Sequence, residues 1–323
     1  MRSPIINLMH LIGSIHTFEV TADNLIDIEG KDYITLIRVT PRPSSSTGYR
    51  YTYKVNLNKI KLTVSENNPL DSDNPARLEI TTYSEHKTAL AYFMQEQELI
   101  NPVITRIDYR FDEYDIEYTR LYKLAKFLTL LIADFYSIDN IFESKDPIKI
   151  ILETIRAQND KFEMEFYNKA EQAPKYNVKC RLELRAKKLY SPDDGKIQIE
   201  LAKWIERLYT VIDKKCIVEN DNGEKMTEIQ RLLTRINTGL LKQYAADKAK
   251  GETVYISEFI HEYRTSFFTT AQLVDFYERA GVNNAKIAVS KYKRRRKIEL
   301  FEPSDLRAYV DKISAAADQF IDN

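Results

Sequence analysis

The chain has 323 residues, 43% hydrophobic and 30% charged, enough to bury one large core or two medium ones. Lysine plus arginine and aspartate plus glutamate balance at 48 each. No global field therefore draws the chain to an acidic partner, and any nucleic-acid binding must come from local clusters of basic residues. Two cysteines, Cys180 and Cys216, are too few for a disulfide framework or a cysteine zinc site. They suit a reducing cytosol, so a cytoplasmic location is expected.

The opening "MRSPIINLMHLIGSIHTFEV" holds a short apolar stretch interrupted by two histidines, with no small-residue cleavage site after it. It does not read as a signal peptide. A loop signal, "PRPSSSTG", precedes a long period-two run over 49–64, and "ARLEITTY" (76–83) is a second strand. "EHKTALAYFMQEQEL" (85–99) reads as a helix and "ITRIDYRFDEYD" (104–115) as a third strand. A helix follows over 116–136, with Leu121, Leu124, Leu128, Leu131 and Phe135 on one face. Its apolar block contains Lys126 and Asp134 and is too short to span a bilayer, so no membrane partner is expected. "DKFEMEFYNK" and "VKCRLELRAKKL" are a fourth and a fifth strand, and 198–216 is a long amphipathic helix.

From about residue 222 the pattern is helical. One helix ends at Gly251, a C-cap candidate, and another runs from a Thr cap to Gly281. "VNNAKIAVSKYKRRRKIELF" and "PSDLRAYVDKISAAADQFIDN" follow. The expected fold is α+β: a mainly antiparallel sheet with helices on one face and the other face open for catalysis, over 1–220. A helical domain over 221–323 follows it.

Three strands share one logic. Ile107, Tyr109 and Phe111 oppose Arg106, Asp108, Arg110 and Asp112. Phe162, Met164 and Phe166 oppose Glu163, Glu165 and Tyr167. Cys180, Leu182 and Leu184 oppose Arg181, Glu183 and Arg185. Side chains alternate along a strand, so each has one apolar and one charged face. The charged face is either a solvated surface laced with cross-strand ion pairs or a gathering of carboxylates of the kind a hard divalent cation requires.

"RIDYRFD", "FEMEFYNKAEQ" and "RLELR", in this order and spacing, resemble the rolling-circle plasmid replication initiators, the trans-acting replication initiation factor family. Similar elements occur in phage rolling-circle initiators. The resemblance covers roughly 75–190 and is clearest over 104–115 and 162–185. It implies an origin-binding enzyme that nicks one DNA strand through a covalent tyrosine–DNA intermediate, with Mg²⁺ or Mn²⁺ as cofactor. It places the nucleophile at Tyr167, with Tyr176 and Tyr190 as competing candidates. It places the metal at Asp108, Asp112 and Glu183, with Glu163 and Glu165 as weaker ligands. Lys169, Arg181 and Arg185 would bind the flanking phosphates. A host helicase and a second copy of the chain are the further partners it suggests. The chain departs from many rolling-circle enzymes in lacking a His-hydrophobic-His element. His10, His16, His86 and His261 are isolated and are expected to be structural or exposed.

"KIAVSKYKRRRK" (286–297) is the strong charge cluster. With the helix and Gly-containing turn before it, it reads as a helix-turn-helix, winged if "IELFEP" forms a short strand. Asn283, Asn284, Ser290 and Lys291 would face a groove, and Lys293, Arg294, Arg295, Arg296 and Lys297 would grip phosphates. A non-catalytic DNA-binding regulator on the same fold is the alternative function. A relaxase or phage initiator is a third. No Gly-rich phosphate loop or Ser/His/Asp arrangement supports an ATPase, helicase or hydrolase.

Overall fold

The computed structural model describes residues 9–22, 32, 34–39, 49–57, 60–67, 76–81, 88, 92, 95–96, 103–145, 152–172, 174–187, 194–219, 223–250, 255–296 and 300–321. Tyr190, Lys297 and most of the helix expected over 85–99 lie outside the described residues.

Among the described residues ten strands form one wholly antiparallel sheet: β1 (Leu11–Ala22), β2 (Ile34–Val39), β3 (Tyr49–Leu57), β4 (Ile60–Asn67), β5 (Ala76–Thr81), β6 (Val103–Glu113), β7 (Asn140–Lys145), β8 (Leu152–Gln158), β9 (Phe162–Tyr167) and β10 (Cys180–Lys187). Their spatial order is β2-β3-β4-β5-β1-β6-β10-β9-β8-β7. The long period-two run over 49–64 is two strands rather than one. Apolar positions fall on odd numbers through Leu57 and on even numbers from Ile60, and Leu57 pairs with Ile60. A two-residue hairpin connection produces that change of phase.

The apolar face carries Ile107, Tyr109, Phe111, Met164, Phe166, Leu182 and Leu184, all buried. α1 (Tyr118–Phe135) and α3 (Asp194–Ile212) lie in the core that includes this face. Between them in the chain, α2 (Lys169–Gln172) is a single turn followed by a 3-10 turn at Pro174–Tyr176. In the core the Trp204 ring meets Phe162 edge-on at 5.3 Å. A further helix, α8 (Pro303–Ile321), belongs to the same core through Leu306, Tyr309, Val310, Ile313 and Ala317. The last helix of the expected C-terminal domain thus packs with the sheet.

A small hairpin, β11 (Ile217–Glu219) and β12 (Lys225–Thr227), leads into α4 (Glu228–Ala249). Thr227 and Gln230 form a reciprocal capping box at its start, the device encoded by Thr-x-x-Gln before a helical run. α4 contributes Leu232 to the sheet's core, and Leu240 and Tyr244 to a second one. That second core joins α5 (Ile256–Glu262), α6 (Thr270–Arg279) and α7 (Ala285–Arg296) around Phe259, Phe267, Phe276 and Val289. No described helix is long and apolar enough to cross a membrane.

Candidate functional site

The register of three central strands builds the polar face. Arg181 lies opposite Asp112 on one side and Tyr167 on the other, Glu183 opposite Arg110 and Glu165, and Arg185 opposite Asp108 and Glu163. Asp108, Asp112, Glu183 and Tyr167 therefore share one face of one sheet. Asp108 is 1% exposed and Tyr167 7%.

What holds these groups is a lattice of guanidinium–carboxylate pairs. Arg181 donates from Nε to Asp112 Oδ1 at 2.5 Å and from Nη2 to Oδ2 at 3.0 Å. Arg185 donates to Asp108 Oδ1 at 2.8 Å and to Glu163 Oε1 at 2.5 Å. Arg106 takes both oxygens of Asp108, at 2.8 and 2.5 Å, and Lys187 reaches Glu163 at 2.9 Å. Burial alone would lower the Arg181 and Arg185 pKa values, but their bonds and charges to these acids raise both. Removing one partner of a buried pair strands the other at a cost of about 3–5 kcal/mol, so the lattice fixes side-chain positions. A signal for it stands in the sequence: two arginines four apart on β10 face two aspartates four apart on antiparallel β6.

The Tyr167 hydroxyl donates to Glu183 Oε1 at 2.8 Å, and Arg181 Nη1 lies 3.4 Å from the phenol oxygen. Lys169 Nζ sits 5.6 Å from the centre of the Tyr167 ring. Burial pushes the phenol pKa up, the Glu183 charge pushes it further, and Arg181 opposes both.

The arrangement does not fit Mg²⁺ or Mn²⁺. Among the described residues no three His, Cys, Asp or Glu side chains converge as metal ligands. Both oxygens of Asp112 and both of Asp108 accept from guanidinium groups, and those of Glu183 face Tyr167 at 2.8 Å and Arg185 at 3.4 Å. A hard cation needs carboxylate oxygens that are not already bonded. Of the weaker candidates, Glu163 is paired with Arg185 and Lys187. Glu165 makes no hydrogen bond or ion pair among the described residues, and burial followed by the Glu183 charge raises its pKa.

Sequence reasoning passed over His16. The β1–β6 register shifts between Ile15 and Thr17, so His16 is the extra residue of a β-bulge on the polar face. Its Nδ1 lies 3.4 Å from Arg110 Nη1. Tyr176, the competing nucleophile, ends the 3-10 turn after α2.

The basic segment forms the second half of a helix-turn-helix. Thr269 caps α6, its hydroxyl accepting from the Gln272 N–H at 3.1 Å. The turn passes through Gly281 (φ 82°) and Asn284 (φ 58°), left-handed conformations that glycine and asparagine tolerate best. Asn237 ties α4 to α6, donating to the Gln272 carbonyl at 2.9 Å and to Asp275 Oδ2 at 2.7 Å. Asn283, Asn284, Ser290, Lys291, Arg294, Arg295 and Arg296 are exposed. The three arginines make no ion pair among the described residues, whereas Lys293 donates to Thr270 Oγ1 at 2.8 Å. Of the expected wing, the structure describes an isolated parallel bridge between Phe301 and Thr269. A groove lined by Ala271, Asp275, Lys286, Ser290 and Arg294 runs between α6 and α7.

No protein family model matches the chain, and no curated protein matches it. Among solved structures it is similar to a rolling circle replication initiator protein from Geobacillus stearothermophilus, at 15% identity and a TM-score of 0.36, over 59% of this chain and 78% of that one. A likeness that remote carries no argument about this chain.

Proposed function

We propose that the chain is a plasmid replication initiator that docks on origin DNA through α6 and α7 and nicks one strand at the sheet face. The observation that carries the reading is the hydrogen bond from the Tyr167 hydroxyl to Glu183 Oε1, with the Arg181 guanidinium beside it. A phenol is a poor nucleophile at neutral pH, and burial makes this one poorer, so it needs a base within hydrogen-bond reach. Glu183 holds that position. In the step, the Tyr167 oxygen bonds to phosphorus as its proton passes to Glu183. The bond from phosphorus to the 3′ oxygen breaks, that oxygen takes a proton from water, and the water recovers the proton held by Glu183. A free 3′-OH and a 5′-phosphotyrosyl link result. Arg181 offsets charge on the attacking phenol and the phosphate. The order and spacing of the three strand motifs support the same reading.

A second reading, a DNA-binding regulator without catalysis, is favoured by the saturation of Asp108 and Asp112 with arginine. A supercoiled plasmid bearing the cognate origin separates the two when incubated with protein in Mg²⁺, in Mn²⁺ and in EDTA. Nicking with a covalent protein–DNA adduct is expected, abolished in Tyr167→Phe. An unchanged adduct in that variant moves the nucleophile to another tyrosine. Origin binding with no adduct under any condition leaves the regulator.

A further inference from the structure

His16 stands on the polar face only because of the bulge in β1, which places two residues opposite one. Arginine has no acceptor, so the 3.4 Å approach of Arg110 Nη1 makes the His16 Nδ1 the acceptor and leaves the proton on Nε2. Arg110 is held in turn by Ser14 Oγ at 2.5 Å, with Asp112 Oδ2 at 3.8 Å. Asp112 is the residue that grips Arg181, whose Nη1 touches the Tyr167 hydroxyl. A continuous chain of contacts thus runs from the imidazole to the phenol. The charges of Arg181, Arg110 and Lys169 lower the His16 pKa and that of Asp108 raises it. Burial and these cations lower its pKa to about 4, so the ring is neutral at pH 7. A neutral ring among cations, offering one N–H, is a donor surface for an anion.

We infer that His16 and Arg110, together with Arg181, form a subsite for one backbone phosphate of single-stranded DNA next to Tyr167. His16 Nε2–H donates to a phosphate oxygen, the Arg181 charge attracts the anion, and Arg110 orients the imidazole through Nδ1. This rests on the reading that the sheet face takes a DNA strand, and it makes His16 a positioning residue for that strand.

The test uses the full chain and decathymidylate, a single strand whose phosphates carry constant charge near neutral pH. The His16 imidazole resonance, assigned by its loss in His16→Gln, is expected to move on saturation. His16→Ala is expected to weaken decathymidylate binding about tenfold, the effect of one charge-assisted hydrogen bond. His16→Gln keeps an acceptor for Arg110 and an N–H donor, and is expected to bind within about threefold of the parent. An unmoved resonance at saturation overturns the subsite even if His16→Ala fails to fold, and so does undiminished binding by folded His16→Ala. An unmoved His16 with the Tyr167 adduct intact overturns the subsite and leaves nicking standing. A responsive His16 without any adduct keeps the subsite and removes nicking.

Discussion

Glu165 and Glu163 sit two residues apart on the polar face of β9, and their pKa values shift in opposite directions. Glu163 would be raised by burial, but the hydrogen bond from Lys187 and the charge of Arg185 bring it below its usual 4.5. Its contribution to stability is present above pH 4.5 and is lost as pH falls through the lower folded value. Glu165 is raised by burial and by Glu183, so its ionised form costs stability as pH climbs past 4.5. Glu165→Gln is expected to raise the melting temperature at pH 7 by about 2 °C, with the gain vanishing near pH 4. Glu163→Gln is expected to lower it at pH 7. Thermal melts across pH 4–8 check both, and equal shifts for the two variants would contradict the pairing. Period-two alternation was enough to put Asp108, Asp112, Tyr167 and Glu183 on polar faces. It could not show that arginines occupy those acids, because partnership depends on the register between strands, which no single strand encodes.

At the scale of elements, β1, β2, β7, β8 and the β11–β12 hairpin were unforeseen, and of these β1 lies between β5 and β6. Its inward residues are Leu11 and Ile15, then Phe18 and Val20, and the bulge moves them from odd to even positions. A strand pattern interrupted in this way loses its period. β9 and β10 have no such interruption, β6 has one only at Thr105 near its start, and all three were legible. So were α1 and α7, and also α4 and α6, where 3.6-residue spacing and threonine caps agree. Gly13 in β1 meets α8 directly: a Cβ there would lie 2.6 Å from the Ala316 carbonyl oxygen. Backbone cannot yield as a flexible side-chain tip can, so Gly13→Ala is expected to displace α8 and cost about 1–3 kcal/mol in chemical denaturation. A change below a few tenths would show that α8 does not need the close approach.

Across the whole molecule, α4 is the member common to both cores. Arg231 at its first turns bonds to Asp134 Oδ2 of α1 at 2.6 Å, and Asn237 bonds to α6 two turns later. On the reading proposed above, the two cores meet different forms of DNA, duplex at α7 and a single strand at β9 and β10. Replacing Arg294, Arg295 and Arg296 with Ala is expected to weaken duplex binding and reduce the slope of log affinity against log salt by about 2–3, near 0.9 per lost phosphate contact. Binding of decathymidylate should keep its slope. An unchanged duplex slope removes these arginines from the interface. The docking of α8 on β1 bears also on how the protein is born. The strand β1 waits for a helix made some three hundred residues later before its apolar side is sealed. Until then the growing chain exposes a sticky surface, which makes slow synthesis of the stretch between them a hazard for aggregation.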